Sequence, residues 1–360
     1  MVPLSKKALG GCNFIPAPLH NTELLAKKPI HLSRILFKDA FACSSFYTFF
    51  ILFNQVGGQD NAEVSVTKEE AINFVEKVLE LHNPIAAVTK NPLEFLQELH
   101  KKLRYSVPFT NLSYATKAGL QTVDPKQKKD LLFRQQGGLC FDVFPLIKAV
   151  FQHLGYKPFL ISAGIPSSRT RVTESHVGLV VKDITYPGSV HLVETGTRHP
   201  ILQPVALDFS SVSQEYHLGL YPVRFFKDGP GIVKMCSPNN DDNGFSKIKF
   251  EGEKWKVLIT YRLLQHRSTH DCYNVVNYLA KNNNDLPEVR NQLFIFGFSQ
   301  GLPTSIVGNQ FFQYSKNGLN KKKRTLRNDS EIIKTVQEHF PQYSTEKLEE
   351  GLTFWNSVRE

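Results

Sequence analysis

At 360 residues, 41% hydrophobic and 21% charged, the chain has the balance of a soluble globular protein with two or three core-bearing units. Its five cysteines (Cys12, Cys43, Cys140, Cys236 and Cys272) are odd in number and widely spaced, which excludes a disulfide framework, and no pair has the CxxC spacing of a zinc site. The formal charge of +10 favours anionic partners such as phosphates, but no recognised nucleic-acid motif accompanies it, so nucleic acid is not an expected partner.

Residues 1–65 read as an N-terminal extension to the domain proper. The extension contains an apolar run, AFACSSFYTFFILF, from Ala40 to Phe53. That run is too short for a spanning helix, which needs about 20 residues, and starts too late for a standard signal peptide. It reads first as an extra helix or strand packed on the domain, then as a membrane-associated segment or a poorly ordered leader. Stable membrane insertion is not expected.

From Thr67 the pattern is helical. TKEEAINFVEKVLELH places Ala71, Phe74, Val75 and Val78 on one face, with Thr67 and Glu70 spaced as a capping box. PLEFLQELHKKLRYSVPF predicts a second helix, with Pro92 in its first turn and a break before Pro108. A third follows Cys140 and ends at Gly155. Pro145 lies five residues into it, where a proline costs about 3 kcal/mol, so this helix is expected to start late or to kink. These three helices make a helical unit over residues 66–155.

After Gly155 the texture turns to short β-rich runs: PFLISAGI, HVGLVVKDI and VHLVETG. Val177, Leu179 and Val181 alternate with His176, Gly178 and Val180, as a strand requires. The turn at Tyr186 to Ser189 then places His176 and Glu194 on neighbouring antiparallel strands. A β-barrel unit is expected over 156–235 and an α/β lid over 236–360. The lid holds a third β-rich stretch, KIKFEGEKWKVLITYRLL, after the polar loop SPNNDDNG, and its tail from Asp329 is helical and polar. KKKRTLR at 321–327 reads as a solvated basic turn, with contact to phosphates as an alternative.

Gly137 and Gly138 let the backbone turn tightly before Cys140, which puts the thiol at or near a helix start. The unpaired N–H groups and positive dipole end there favour a thiolate. A buried structural cysteine behind a glycine turn is the alternative on these residues alone. A nucleophilic cysteine needs a base, and the base an orienting partner. His176 and Glu194 are the candidates by position, although a strand histidine is commonly a core residue and a strand glutamate commonly faces solvent.

Three blocks in order, QGGLCF at 136–141, SHVGLVV at 175–181 and HLVETG at 191–196, resemble the arylamine N-acetyltransferase family. That family carries Arg-Gly-Gly-x-Cys, then Thr/Ser-His before a hydrophobic strand, then a hydrophobic pair followed by Asp-x-Gly. VPFTNL at 107–112 is similar to its Pro-Phe-Glu-Asn-Leu, and Phe312 to Phe340 to its final strand, turn and helix. The resemblance spans roughly 67–345 and implies an α+β fold: an N-terminal helical bundle, a central β-barrel and a C-terminal α/β lid around a cysteine-protease or transglutaminase-like core. It implies Cys140 as nucleophile, His176 as base and Glu194 as third member. The activity implied is cytoplasmic, metal-free acetyl transfer from acetyl-CoA through acetyl-cysteine to an arylamine, hydrazine or hydroxylamine nitrogen.

The chain departs from the pattern it resembles in three respects. Glu194 stands where the family has aspartate, Gln136 where it has the motif arginine, and Thr110 where it has glutamate. Losing both members of an oppositely charged pair avoids an unpaired buried charge. Competing readings are a thiol hydrolase or transglutaminase-like enzyme on the same triad, and a non-catalytic homologue. The residues that would bind the donor are not identified by the sequence.

Overall fold

The computed structural model describes residues 65–114, 125–165, 174–197, 201–217, 222–236, 255–281, 292–315 and 321–359. All of them belong to one unit, Ala62–Glu360. The apolar run Ala40 to Phe53 and the loop SPNNDDNG lie outside the described residues.

Helix α1 (Lys68–Asn73) starts on the expected capping box: the Glu70 N–H donates to Thr67 Oγ1 at 3.1 Å and the Thr67 N–H to Glu70 Oε2 at 2.8 Å. It runs on as a wider π turn over Phe74–Val78, and buries Ala71, Phe74 and Val75. A short helix α2 (Pro84–Lys90), absent from the sequence reading, precedes α3 (Pro92–Ser106). In α3 the Asn91 side chain caps the Glu94 N–H, Pro92 occupies the first turn, and Phe95, Leu96, Leu99 and Leu103 face the core. Helices α4 (Pro125–Phe133) and α5 (Cys140–Leu154) follow. Helix α5 starts at Cys140 and continues through Pro145, so the late start given as one outcome of that proline is not found. That residue leaves the Phe141 carbonyl without its helical donor, but it lies among the buried residues Cys140 to Ile147, so core packing outweighs the local cost.

The larger sheet is antiparallel and has eight strands among the described residues. They are β2 (Lys157–Gly164), β3 (His176–Lys182), β4 (Val190–Val193), β5 (Val205–Ala206), β6 (Tyr216–His217), β7 (Pro222–Asp228), β8 (Gly231–Cys236) and β9 (Lys256–Arg267). Their order is β5-β4-β3-β2-β9-β8-β7-β6. The strand from the third β-rich stretch, β9, therefore sits at the centre, pairing Ser162 with Arg262 on one side and Ile232 with Tyr261 on the other. The boundary expected between residues 235 and 236 falls inside β8, which pairs with β9 in the same sheet.

Strand β1 (Phe109–Thr110), from VPFTNL, joins a second sheet with β10 (Phe294–Ser299), β11 (Leu302–Val307), β12 (Gln310–Tyr314) and β13 (Lys321–Thr325). The basic run is thus an edge strand, not a turn. Its lysines suit an edge, where exposed charge discourages pairing with another chain. Helix α6 (Thr269–Lys281) packs against α5, and α7 (Asp329–His339) and α8 (Thr345–Arg359) close the chain.

Two apolar cores result. One joins α1, α3 and α5 to the larger sheet; the other gathers Leu112, Ile295, Phe311, Val336, Phe340, Tyr343, Leu352 and Trp355 beneath the smaller one. No helix among the described residues is long and apolar enough to cross a membrane.

Candidate active site

The turn before α5 is shaped by Gly137, which adopts φ +68°. Its N–H donates to the Leu131 carbonyl at 2.7 Å, and a Cβ there would collide with the Pro108 carbonyl. Only glycine meets both demands. Gly138 then accepts from the Thr110 N–H at 3.3 Å, fixing the turn to β1. Leu139 is extended and donates its N–H to Asp142 Oδ2 at 3.0 Å, so α5 opens at Cys140 with a carboxylate capping its first turn. Cys140 is 5% exposed.

His176 opens β3 and Glu194 directly follows β4. The pairing of Leu179 with Val193 carries one step further to set Glu194 beside Gly178, on the face that His176 shares. His176 Nε2 lies 3.6 Å from Glu194 Oε2, an ion-pair distance rather than a hydrogen bond. Cys140 stands near enough to the ring to favour its charged form. Burial alone would lower the His176 pKa, but Cys140 and Glu194 together overcome it and raise it to about 10. Burial would likewise raise Glu194, yet His176, Lys234 and the Tyr261 hydroxyl bring it down to about 2. The sequence-assigned cysteine, histidine and carboxylate are thus brought together as a buried line.

Beneath Glu194 lies a polar layer that the sequence reading missed. The Tyr261 hydroxyl of β9 donates to Glu194 Oε2, and the ring reaches it because Gly178 has no side chain: a Cβ there would lie 2.9 Å from the Tyr261 ring. His100 Nε2 lies 3.2 Å from the Glu194 carbonyl, and burial lowers its pKa to about 3, so it donates as a neutral ring. Arg104 donates to the Thr195 carbonyl; burial lowers its pKa only to about 10. Lys234 is fully buried, 3.5 Å from Thr197 Oγ1. His100 and Arg104 sit four apart on the inward face of α3, and Tyr261 follows Ile259 on the inward face of its strand. Those periodicities mark burial in the sequence but not proximity to Glu194.

On the other side of Cys140, the Tyr114 hydroxyl donates to Asp142 Oδ1 at 3.1 Å. Lys128 stands 3.7 Å over the Tyr273 ring. Burial raises the Asp142 pKa to about 6 despite its two hydrogen bonds and the nearby Lys128. A second cysteine, Cys272, is pushed up to about 12 by burial, so it is a poor nucleophile. No group of three or more His, Cys, Asp or Glu among the described residues is placed to hold a metal. A thiol at a helix start, a histidine that favours its cationic form and an ionised carboxylate can carry out nucleophilic acyl chemistry.

The N-acetyltransferase family model matches residues 92–342. A search of curated proteins found no match. Among solved structures, the arylamine N-acetyltransferase from Mycobacterium abscessus superposes with a TM-score of 0.61 at 18% identity, over 79% of this chain and 94% of that one. The arylamine N-acetyltransferase from Nocardia farcinica gives 0.62 at 18%, over 83% and 100%. That from Mycobacterium marinum, solved in complex with CoA, gives 0.59 at 19%, over 78% and 98%.

Proposed function

Because the chain belongs to the arylamine N-acetyltransferase family, we propose that it moves an acetyl group from acetyl-CoA to the nitrogen of an arylamine or hydrazine by way of acetyl-Cys140. The observation that carries this reading is the buried grouping of Cys140, His176 and Glu194, with His176 Nε2 3.6 Å from Glu194 Oε2. The Cys140 thiolate adds to the acetyl carbonyl carbon, and the thiolate of CoA leaves with a proton from the His176 imidazolium. The amine then adds to acetyl-Cys140, His176 takes the proton that the nitrogen sheds, and the Cys140 sulfur leaves. Glu194 holds the imidazolium charge in a place that water does not reach.

The CoA bound in the Mycobacterium marinum structure supports the donor. The free thiols Cys140 and Cys272 are in keeping with a cytoplasmic setting. Intact-protein mass spectrometry after acetyl-CoA is added tests the reading. One acetyl group on Cys140, discharged faster by an arylamine or a hydrazine than by water, is the expected result. Faster discharge by water alone would point to a thiol hydrolase. No acetylation at all would overturn enzymatic acetyl transfer.

A further inference from the structure

The turn that carries Cys140 is also gripped from the far end of the chain. The Gln342 side chain donates to the Gln135 carbonyl at 3.1 Å, the Tyr343 hydroxyl to the Gln136 carbonyl at 2.6 Å, and Lys347 Nζ to Gln136 Oε1 at 2.7 Å. Tyr343 is buried, so its hydroxyl holds the turn from within the second core. Tyr343 and Lys347 lie just past the 92–342 stretch matched by the family, and Leu348, Leu352 and Trp355 of α8 anchor them in the second core.

The backbone they hold is costly to form. Gln135 has φ +56°, a region that non-glycine residues seldom adopt, and Gly137 follows at +68°. A turn of this kind persists only where its surroundings over-determine it. Two residues further on, it decides where α5 begins and hence where the Cys140 sulfur sits relative to His176.

We propose that Tyr343 and Lys347 are positioning residues for Cys140: from the start of the C-terminal helix and the turn before it they lock the Gln135–Gly138 turn in the geometry that presents the thiol to His176. The ammonium bonds the side chain of Gln136, one of the two uncharged residues noted in the sequence, so a C-terminal cation serves the turn there. The proposal needs the acetyl-transfer reading only for one of its readouts.

The experiment follows iodoacetamide alkylation of Cys140 across pH by peptide mass spectrometry, alongside Cys140 acetylation and thermal melting, in Lys347→Met, Lys347→Arg, Tyr343→Phe and the Tyr343→Phe, Lys347→Met double variant. Misplacing a reacting group by about 1 Å can cost on the order of a hundredfold. We expect the double variant to alkylate and acetylate about tenfold more slowly, with the pH midpoint of alkylation raised, and Lys347→Arg to match the unmodified protein. Unchanged rates and pH profile in the double variant would overturn the proposal, as would a loss in Lys347→Arg equal to that in Lys347→Met. If the double variant does not fold, the two Lys347 variants decide by the same criteria. An unmodified protein that alkylates normally but takes no acetyl group would overturn the acetyl-transfer reading, while the alkylation profiles still judge the clamp.

Discussion

Two buried carboxylates flank the Cys140 helix start and titrate in opposite directions. Glu194 is 0% exposed and Asp142 is 3% exposed, so burial opposes the charge on each to a similar degree. Glu194 nevertheless falls to about 2 while Asp142 rises to about 6. The difference lies in the company each keeps. Glu194 has the His176 imidazolium, Lys234 and a donated tyrosine hydroxyl; Asp142 has a tyrosine hydroxyl, a backbone N–H and only the attraction of Lys128. A full ionic partner at close range reverses the desolvation penalty, whereas neutral donors only reduce it. One side of the site is built to keep a charge, the other to do without one at mildly acidic pH.

The sharpest way to break this comparison is Glu194→Gln, which keeps the size and removes the charge. In serine proteases the equivalent change costs about 10⁴ in turnover. Here at least about a hundredfold loss in the Cys140 acetylation rate is expected, measured by single-turnover mass spectrometry. An unchanged rate would mean that Lys234, Tyr261 and His100 orient the site without a carboxylate charge. Glu194→Asp should keep the acetylation rate within about tenfold, since the charge remains and only one methylene is lost.

The two carboxylates also predict opposite stability slopes. A depressed folded pKa gives Glu194 a contribution that is present above its ordinary value of 4.5 and lost as pH falls through about 2. A raised folded pKa gives Asp142 the reverse: full stability below 3.8, lost as pH rises through about 6. The shift corresponds to about 3 kcal/mol. Asp142→Asn should therefore flatten the fall in unfolding free energy between about pH 4 and pH 6, as read from urea melts. A curve with the original slope would show that another group titrates in that window.

Much of this arrangement was legible in the sequence, and the reason is locality. The capping box at Thr67 and Glu70, the break before Pro108 and the glycine turn before Cys140 each involve residues a few positions apart. His176 and Glu194 were readable as strand neighbours because a short turn joins β3 and β4. What escaped depends on pairing across long stretches of chain. Nothing in KVLITYRLL says that it enters between β2 and β8, so nothing announces that Tyr261 will meet Glu194. The basic run at 321 looked like a turn because lysines are poor strand formers, and β12 supplies the partner that makes it one. The late start expected from Pro145 failed for the same reason, since packing around a buried helix is not visible in its local propensity.

The smallest expected effect tests the Asp142 side by its weakest link. Tyr114→Phe removes the hydroxyl that donates to Asp142 Oδ1 and leaves the ring in place, so packing is kept and a single hydrogen bond is lost. A buried carboxylate oxygen that loses its donor costs about 1 to 3 kcal/mol when it is charged, and less when it is protonated. The loss should therefore depend on pH: about 1 to 2 kcal/mol at pH 7, where Asp142 is ionised, and under about 1 kcal/mol at pH 4, where it is neutral in the fold. The same substitution raises the Asp142 pKa further, because the hydroxyl is one of the groups holding it down. The pH midpoint of the stability curve should move up with it. Equal losses at both pH values would mean that the hydroxyl serves packing or a different acceptor, and that Asp142 keeps its proton balance without it.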